Sequence, residues 1–297
     1  MQLFIDQLVN GLTLGAIYAL IALGYTMVYG ILRMINFAHS EIFMLGSLFG
    51  LGAIALTAHL PWFVALPLAF ALSLVGCAVV AGTIEKVAYA PLRRVSRLAP
   101  LISAIGVSIV LQNIVFLWRN ESLAFPNLLP SFQVNLGFAV LSGLQALILA
   151  VSIILMVALH LFVMRTQLGK AMRACAQDPD AAALMGVPVN QIITLTFLIG
   201  GGLGGAAGLL NGMYYGSIKY NMGFVPGMKA FTAAVLGGIG NIPGAMLGGF
   251  LMGILESLGA GFLPQAEWKD VFSFTILIGV LIFRPSGILG ERVTNKI

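Results

Sequence analysis

Charge is what this sequence most lacks. Of its 297 residues only 8% are Asp, Glu, Lys or Arg, while 60% are hydrophobic. An ordinary soluble domain carries about a quarter charged residues, so this composition cannot furnish a water-facing surface, and most of the exterior must face lipid. The alternating segments of about ten residues that build a membrane β-barrel are also missing. The apolar runs are instead continuous and about twenty residues long, which is the length of an α-helix that crosses a bilayer. Cysteine is scarce: Cys77 lies in an apolar run and Cys175 in a polar loop, with no CxxC or other metal spacing and nothing to suggest a disulfide. The three histidines, His39, His59 and His160, stand singly.

No HExxH and no GxSxG occurs. Lys170 follows Gly169, but Met164 stands where a P-loop needs its first glycine and Ala171 where it needs Ser or Thr. The run from Gly237 to Gly244 is glycine-rich yet lacks that Lys and Ser/Thr as well. No cluster of acid, base and nucleophile suggests a membrane protease or acyltransferase. The sequence therefore predicts a non-enzymatic protein with no cofactor or metal of its own.

What is present is a single all-α integral membrane domain over 1–297. The apolar runs predict about eight spans, at 8–29, 42–58, 62–82, 100–118, 138–162, 192–212, 244–262 and 271–283. A ninth stretch, 228–240, is too short to cross comfortably at about 1.5 Å per residue and predicts a short or broken helix inside the protein. The first run lacks a basic n-region and a second soon follows, so it reads as a retained span rather than a cleaved signal. No convincing internal repeat or low-complexity segment is visible.

The net charge of +5 gathers in loops rather than in a nucleic-acid patch. Loop 85–97 holds Lys86, Arg93, Arg94 and Arg97 against Glu85, and loop 163–191 holds Arg165, Lys170 and Arg173 against Asp178 and Asp180. The tail adds Arg284, Arg292 and Lys296. The positive-inside rule puts all three in the cytoplasm, with loop 119–137 and the N-terminus outside. The tail is inside only if 228–240 also crosses. Arg165, Lys170 and Arg173 read as inside anchors rather than partner contacts.

Glycine recurs at helical spacing, at Gly200, Gly204, Gly208 and Gly212, and at Gly240, Gly244 and Gly248 with Gly249 and Gly253 alongside. Gly weakens a helix by up to about 1 kcal/mol relative to Ala, so these stripes predict close helix packing in lipid.

Within the cytoplasmic loop 163–191, Asp178 suits an N-cap and Pro179 the first turn. Asp180 suits the positive helix end, Gly186 a C′ position, and Pro188 a stop. These predict a short helix over about 179–185, unstable alone in water, which must lie on its own bundle or on a partner. Asp180-Ala181-Ala182-x-x-x-Gly186 resembles the E-A-A-x-x-x-G element of bacterial ABC importer permeases, with Asp for Glu. The segments Gly24–Gly30, Met34–Glu41, Glu85–Tyr89, Leu101–Gly106, Gly227–Gly240 and Arg284–Gly290 are similar to the LivH-type permeases of branched-chain amino acid ABC transporters. The resemblance runs nearly the whole length, with Ser40 where the family pattern has Gly.

The resemblance implies a type II importer permease of the bacterial inner membrane. It would pair with a second homologous permease as a heterodimer. Two ATPase subunits would bind the ATP, and a periplasmic amino-acid-binding protein would deliver Leu, Ile or Val. Asp178, Pro179, Asp180, Ala181, Ala182 and Gly186 would form the coupling helix that docks on an ATPase, with the small alanines allowing close approach. A same-family permease for urea or short amides is an alternative, as is a self-sufficient channel or secondary transporter. The last would need more paired ionisable groups within the spans.

Candidates for the translocation path are Asn36, His39, Glu41 and Glu256. The polar stretch Asn36, His39, Ser40, Glu41 either lines or gates a path or is an interfacial turn in which Ser40 and Glu41 cap the 42–58 helix. Glu256 is either paired inside the bundle or an interfacial Glu reaching water. Tyr25, Tyr29, Tyr214 and Tyr215 fit an aromatic belt at the span ends.

Overall fold

Helices that are apolar all round must be buried in protein or in lipid, and this chain is built almost entirely of them. The computed structural model describes residues 2–93, 98–130, 132–135, 137, 140–263, 265, 268–284 and 286–290. In order, α1 is Gln2–Leu32, α2 His39–Leu56 and α3 Trp62–Ile84, the last continuing through one π-turn at Glu85–Tyr89 and a 3-10 turn at Ala90–Leu92. Then come α4 (Ala99–Trp118), β1 (Leu123–Ala124) and a hairpin of β2 (Gln133–Asn135) and β3 (Val140–Ser142). There follow α5 (Gly143–Arg165), α6 (Gln167–Gln177), α7 (Pro179–Leu184), α8 (Val189–Tyr215), β4 (Ser217–Ile218), α9 (Phe224–Gly237), α10 (Ile242–Phe262) and α11 (Trp268–Phe283).

Seven helices among the described residues are long and apolar enough to cross a membrane: α1, α2, α3 with its continuation, α4, α5, α8 and α10. The expected eighth, α11, has 16 residues, a rise of about 24 Å against a hydrocarbon core of about 30 Å; it starts beside the outer end of α10, and Ile288 and Leu289 beyond it bond at the inner face, so it too runs from outside to inside. The expected span 138–162 begins later, because residues 140–142 pair with 133–135 and Ser142 caps α5 with a reciprocal capping box to Gln145. The polar loop 163–191 holds an unforeseen amphipathic helix, α6, which buries Met172 and Cys175.

The ends of the helices fix the topology. The end of α1 lies by α6, where Arg33 donates to the Ala176 carbonyl at 3.5 Å. Its start is tied to α5 by Gln145 and Asn10 at 2.8 Å, and to α10 by Ser257 and Gln7 at 2.8 Å. With the basic loops inside, the N-terminus is outside. β1 pairs with β4, so loop 119–125 and the end of α8 share the outer face. α10 starts at the inner end, where Gly240 packs beside Gly30, and Ile288 and Leu289 donate to the carbonyls of Leu236 and Gly237. The 14-residue α9 therefore completes a crossing, with β4 and the following turn supplying its outer part. The tail through Gly290 lies inside.

The sequence shows no repeat, but the packing does. α1 lies along α10 as α8 lies along α3; α2 packs on α3 and α8 as α9 packs on α10 and α1. Exchanging α1 with α8, α2 with α9 and α3 with α10 maps each contact onto another, while every helix reverses direction. This is the arrangement of an inverted repeat.

Glycine makes the shared contacts close. Gly201 and Gly205 lie on Ser73, Cys77 and Ala81 of α3, while Gly249 and Gly253 lie on Ala19 and Gly15 of α1. Gly200 faces Gly24, and Gly208 faces the backbone of Phe43. Gly244 and Gly248 face Gly237 and Ala233 of α9. Gly240 departs from the expected stripe: it sits in the α9–α10 loop with φ +95°, a conformation open to Gly but not to L side chains.

Candidate functional site

Three places among the described residues stand out against the apolar pattern. The first is the cytoplasmic helix α7. Asp178 Oδ1 accepts from the N–H groups of Asp180 (2.9 Å) and Ala181 (3.0 Å), and Pro179 opens the helix. At the other end Gly186 has φ +85°, its N–H donates to Ala183, and the N–H of Val187 donates to Ala182. That pair of bonds is a Schellman stop. Asp180, Ala181 and Gly186 are exposed, but Ala182 is buried against the bundle. Ala182 therefore seats the helix rather than meeting a partner. The side chains turned outward that composition did not single out are Leu184 and Met185, 90% and 84% exposed. They form a small apolar knob at the end of the capped helix.

The second place is the start of α2. His39 packs on Gly24 and Gly204. Gly204 is fifteen residues, about 22 Å, into α8, so α2 starts at mid-depth rather than at a surface. Its N-cap is Ala38, which offers no side-chain bond. Ser40 Oγ donates back to the Phe37 carbonyl at 2.8 Å instead of capping, and Glu41 Oε1 accepts from Ser108 Oγ of α4 at 3.3 Å. The interfacial-cap reading of Ser40 and Glu41 is thereby replaced by an interior one. Asn36 Oδ1 accepts from the Tyr89 hydroxyl at 2.8 Å. Tyr25, expected in an aromatic belt, is buried edge-on to His39 (4.9 Å) and Phe231 (5.8 Å). Gly223 and Gly227 at the start of α9 lie against Ser40, so two helix N-termini meet deep in the bundle, as in transporters with broken helices.

The third place surrounds Glu256, which is 1% exposed. It accepts from the Tyr18 hydroxyl at 2.8 Å and from Lys229 Nζ at 2.7 Å, with Lys269 Nζ 3.4 Å away. Lys229 bridges on to Asp270 at 2.7 Å. The bundle-interior pairing of Glu256 is the reading the geometry supports. Lys229 and Tyr18 were not picked out as site residues. A lysine within the apolar 228–240 stretch was the available signal, because an intramembrane cation needs an anion. The structure does not bring Glu256 to the α2 start: the four path candidates form one group of three and one separate residue. On the inner side, Glu85 pairs with Arg93 and accepts from Thr194 Oγ1 at 2.7 Å, so part of the basic loop's charge is held by its own bundle.

Spans in an inverted repeat, two helices that begin at mid-depth, and a stapled cytoplasmic helix with an apolar knob define the membrane subunit of a transporter. A family model described as "Branched-chain amino acid transport system / permease component" matches residues 7–281, and the chain belongs to that family. The permease protein BraD of a high-affinity branched-chain amino acid transport system in Pseudomonas aeruginosa is 50% identical, over 99% of this chain and 98% of its own length. The LivH permease protein of the corresponding system in Escherichia coli K12 is 46% identical over the same shares. A probable LivH of Methanocaldococcus jannaschii is 30% identical over 91% of this chain and 88% of its own.

Proposed function

We propose that this chain is a permease subunit of an ABC importer that carries leucine, isoleucine or valine across the bacterial inner membrane. Identity of 46–50% along whole chains to permeases of high-affinity branched-chain amino acid systems is the observation that carries the reading. A second, homologous permease completes the pathway as a heterodimer. Two separate ATPase subunits bind ATP beneath it, and a periplasmic amino-acid-binding protein delivers substrate from outside. Energy enters through α7. Asp178, Pro179, Asp180, Ala181 and Gly186 shape that helix, Ala182 fixes it to the bundle, and Leu184 and Met185 fill a groove on the ATPase. No residue of this chain does bond-breaking chemistry.

Reconstitution tests this. The purified importer in proteoliposomes, given its binding protein and internal ATP, is expected to accumulate labelled leucine and not labelled urea. Urea uptake without leucine uptake overturns the substrate, and uptake by the permease pair alone, without ATPase or ATP, overturns the mechanism.

A further inference from the structure

The α8–α9 connection leaves a space that the transport reading does not use. α9 starts at Phe224, short of the outer face, and above it a cavity of about 380 Å³ opens between the outer ends of α8, α10 and α11. That is within the usual range of small-molecule sites, about 300–1,000 Å³. One wall is charged, formed by Lys229, Glu256, Lys269 and Asp270; Lys219 and polar side chains such as Asn221 stand at the mouth, and an apolar patch is formed by Met222, Val225 and Pro226.

Both signs are present, three lysines against two carboxylates, and they are spatially ordered. Deep in the wall, Lys229 and Glu256 hold each other at 2.7 Å, and Tyr18 completes the carboxylate. Nearer the rim stand Lys269 and Asp270, whose side chains are 35% and 40% exposed. A lone anion entering here meets Glu256 and Asp270, and a lone cation meets Lys219, Lys229 and Lys269. A molecule carrying both signs on one carbon avoids both repulsions, with its carboxylate on Lys269 and its ammonium on Asp270. The half-exposed Val225 and Met222 then face whatever that carbon bears, and apolar lining selects an apolar side chain.

We infer that this outer cavity is a holding site for a zwitterionic α-amino acid with an apolar side chain, occupied before the substrate passes the mid-depth junction of α2 and α9. The inference rests on the proposed function. It adds a station on this chain and names Lys269, Asp270 and Val225 as its recognition elements.

The two native cysteines, Cys77 and Cys175, are buried, so Val225→Cys places one reactive thiol in the cavity. In the reconstituted importer, a membrane-impermeant thiol reagent added outside is expected to label it. Saturating leucine is expected to slow labelling about tenfold, as mass action requires for a site filled about ten times over its Kd. Isoamylamine and 4-methylpentanoate, which each keep one charge, are expected to leave the rate unchanged, and Asp270→Asn is expected to abolish protection by leucine. An unlabelled Val225→Cys overturns the outward-open cavity. Labelling that leucine does not slow, beside normal leucine uptake by the wild type, overturns the site and leaves the transport reading standing. Protection by isoamylamine equal to that by leucine overturns the zwitterion. Failure of the wild type to import leucine overturns the proposed function and this site with it.

Discussion

Two of the polar places inside the bundle solve opposite problems. Around Glu256 full charges are met by full charges: Lys229 lies between Glu256 and Asp270, and the group borders an open cavity. Around the start of α2 no cation stands among the described residues. Asn36, His39, Ser40 and Glu41 are all buried, their bonds run to hydroxyls and carbonyls, and Glu41 Oε2 and His39 Nε2 have no hydrogen-bond partner. Buried polar atoms without partners cost free energy, so such a place persists only where the fold over-determines it. Glycine does this here, clamping His39 between Gly24 and Gly204. One site is held together by charge and the other by shape.

Substitutions separate the two kinds of cohesion. The largest effect is expected from Lys229→Met, which takes the 2.7 Å partner from buried Glu256 and leaves it the Tyr18 hydroxyl and Lys269 at 3.4 Å: breaking one partner of a buried pair costs about 3–5 kcal/mol, and Lys269 offsets part of that. Thermal unfolding of the purified protein should show it, and the double variant Lys229→Met, Glu256→Leu should recover most of the loss. A double variant no better than the single one would mean that the pair is not the source. Next is Gly204→Ala, whose new Cβ would come 3.0 Å from His39 Cε1. The clamp predicts a loss of about 1–3 kcal/mol from overpacking, with no change at the Lys229 network when a Glu256 variant is combined with it; strong coupling between the two would join sites that the structure holds apart. Tyr18→Phe removes one hydrogen bond to a charged group, about 1.5–3 kcal/mol at most, and should leave the α2 start untouched. The smallest is Asp178→Ala, about 1 kcal/mol for a lost N-cap, confined to α7 and visible as faster hydrogen exchange over 179–186 without a shift in global unfolding.

The contrast also explains which features the sequence alone displays. Helix existence follows from run length and composition, and the α7 caps follow from local bonds of two or three residues, which Asp178 and Gly186 announce. The glycine stripe on α8 is legible because its spacing is helical. The depth of the α2 start is not, since nothing local separates a Ser40 that caps a surface helix from one that faces Gly227 on another half of the molecule. Ala182 reads as a small exposed residue until the direction of α7 is known. Lys229 reads as part of a family resemblance until α10 is placed beside it. The inverted repeat is carried by packing geometry, and its halves need share little sequence for their helices to pair alike.

The central claim is that transport is driven by a separate ATPase through the exposed end of α7. Its most direct test is the ATP hydrolysed per leucine imported by reconstituted importers carrying Leu184→Asp, at a position that is 90% exposed and that makes no contact the fold needs. The account predicts a normally folded, membrane-inserted permease whose import collapses while its ATPase subunits lose stimulation by the binding protein. Wild-type import at the wild-type ratio of ATP to leucine would contradict it.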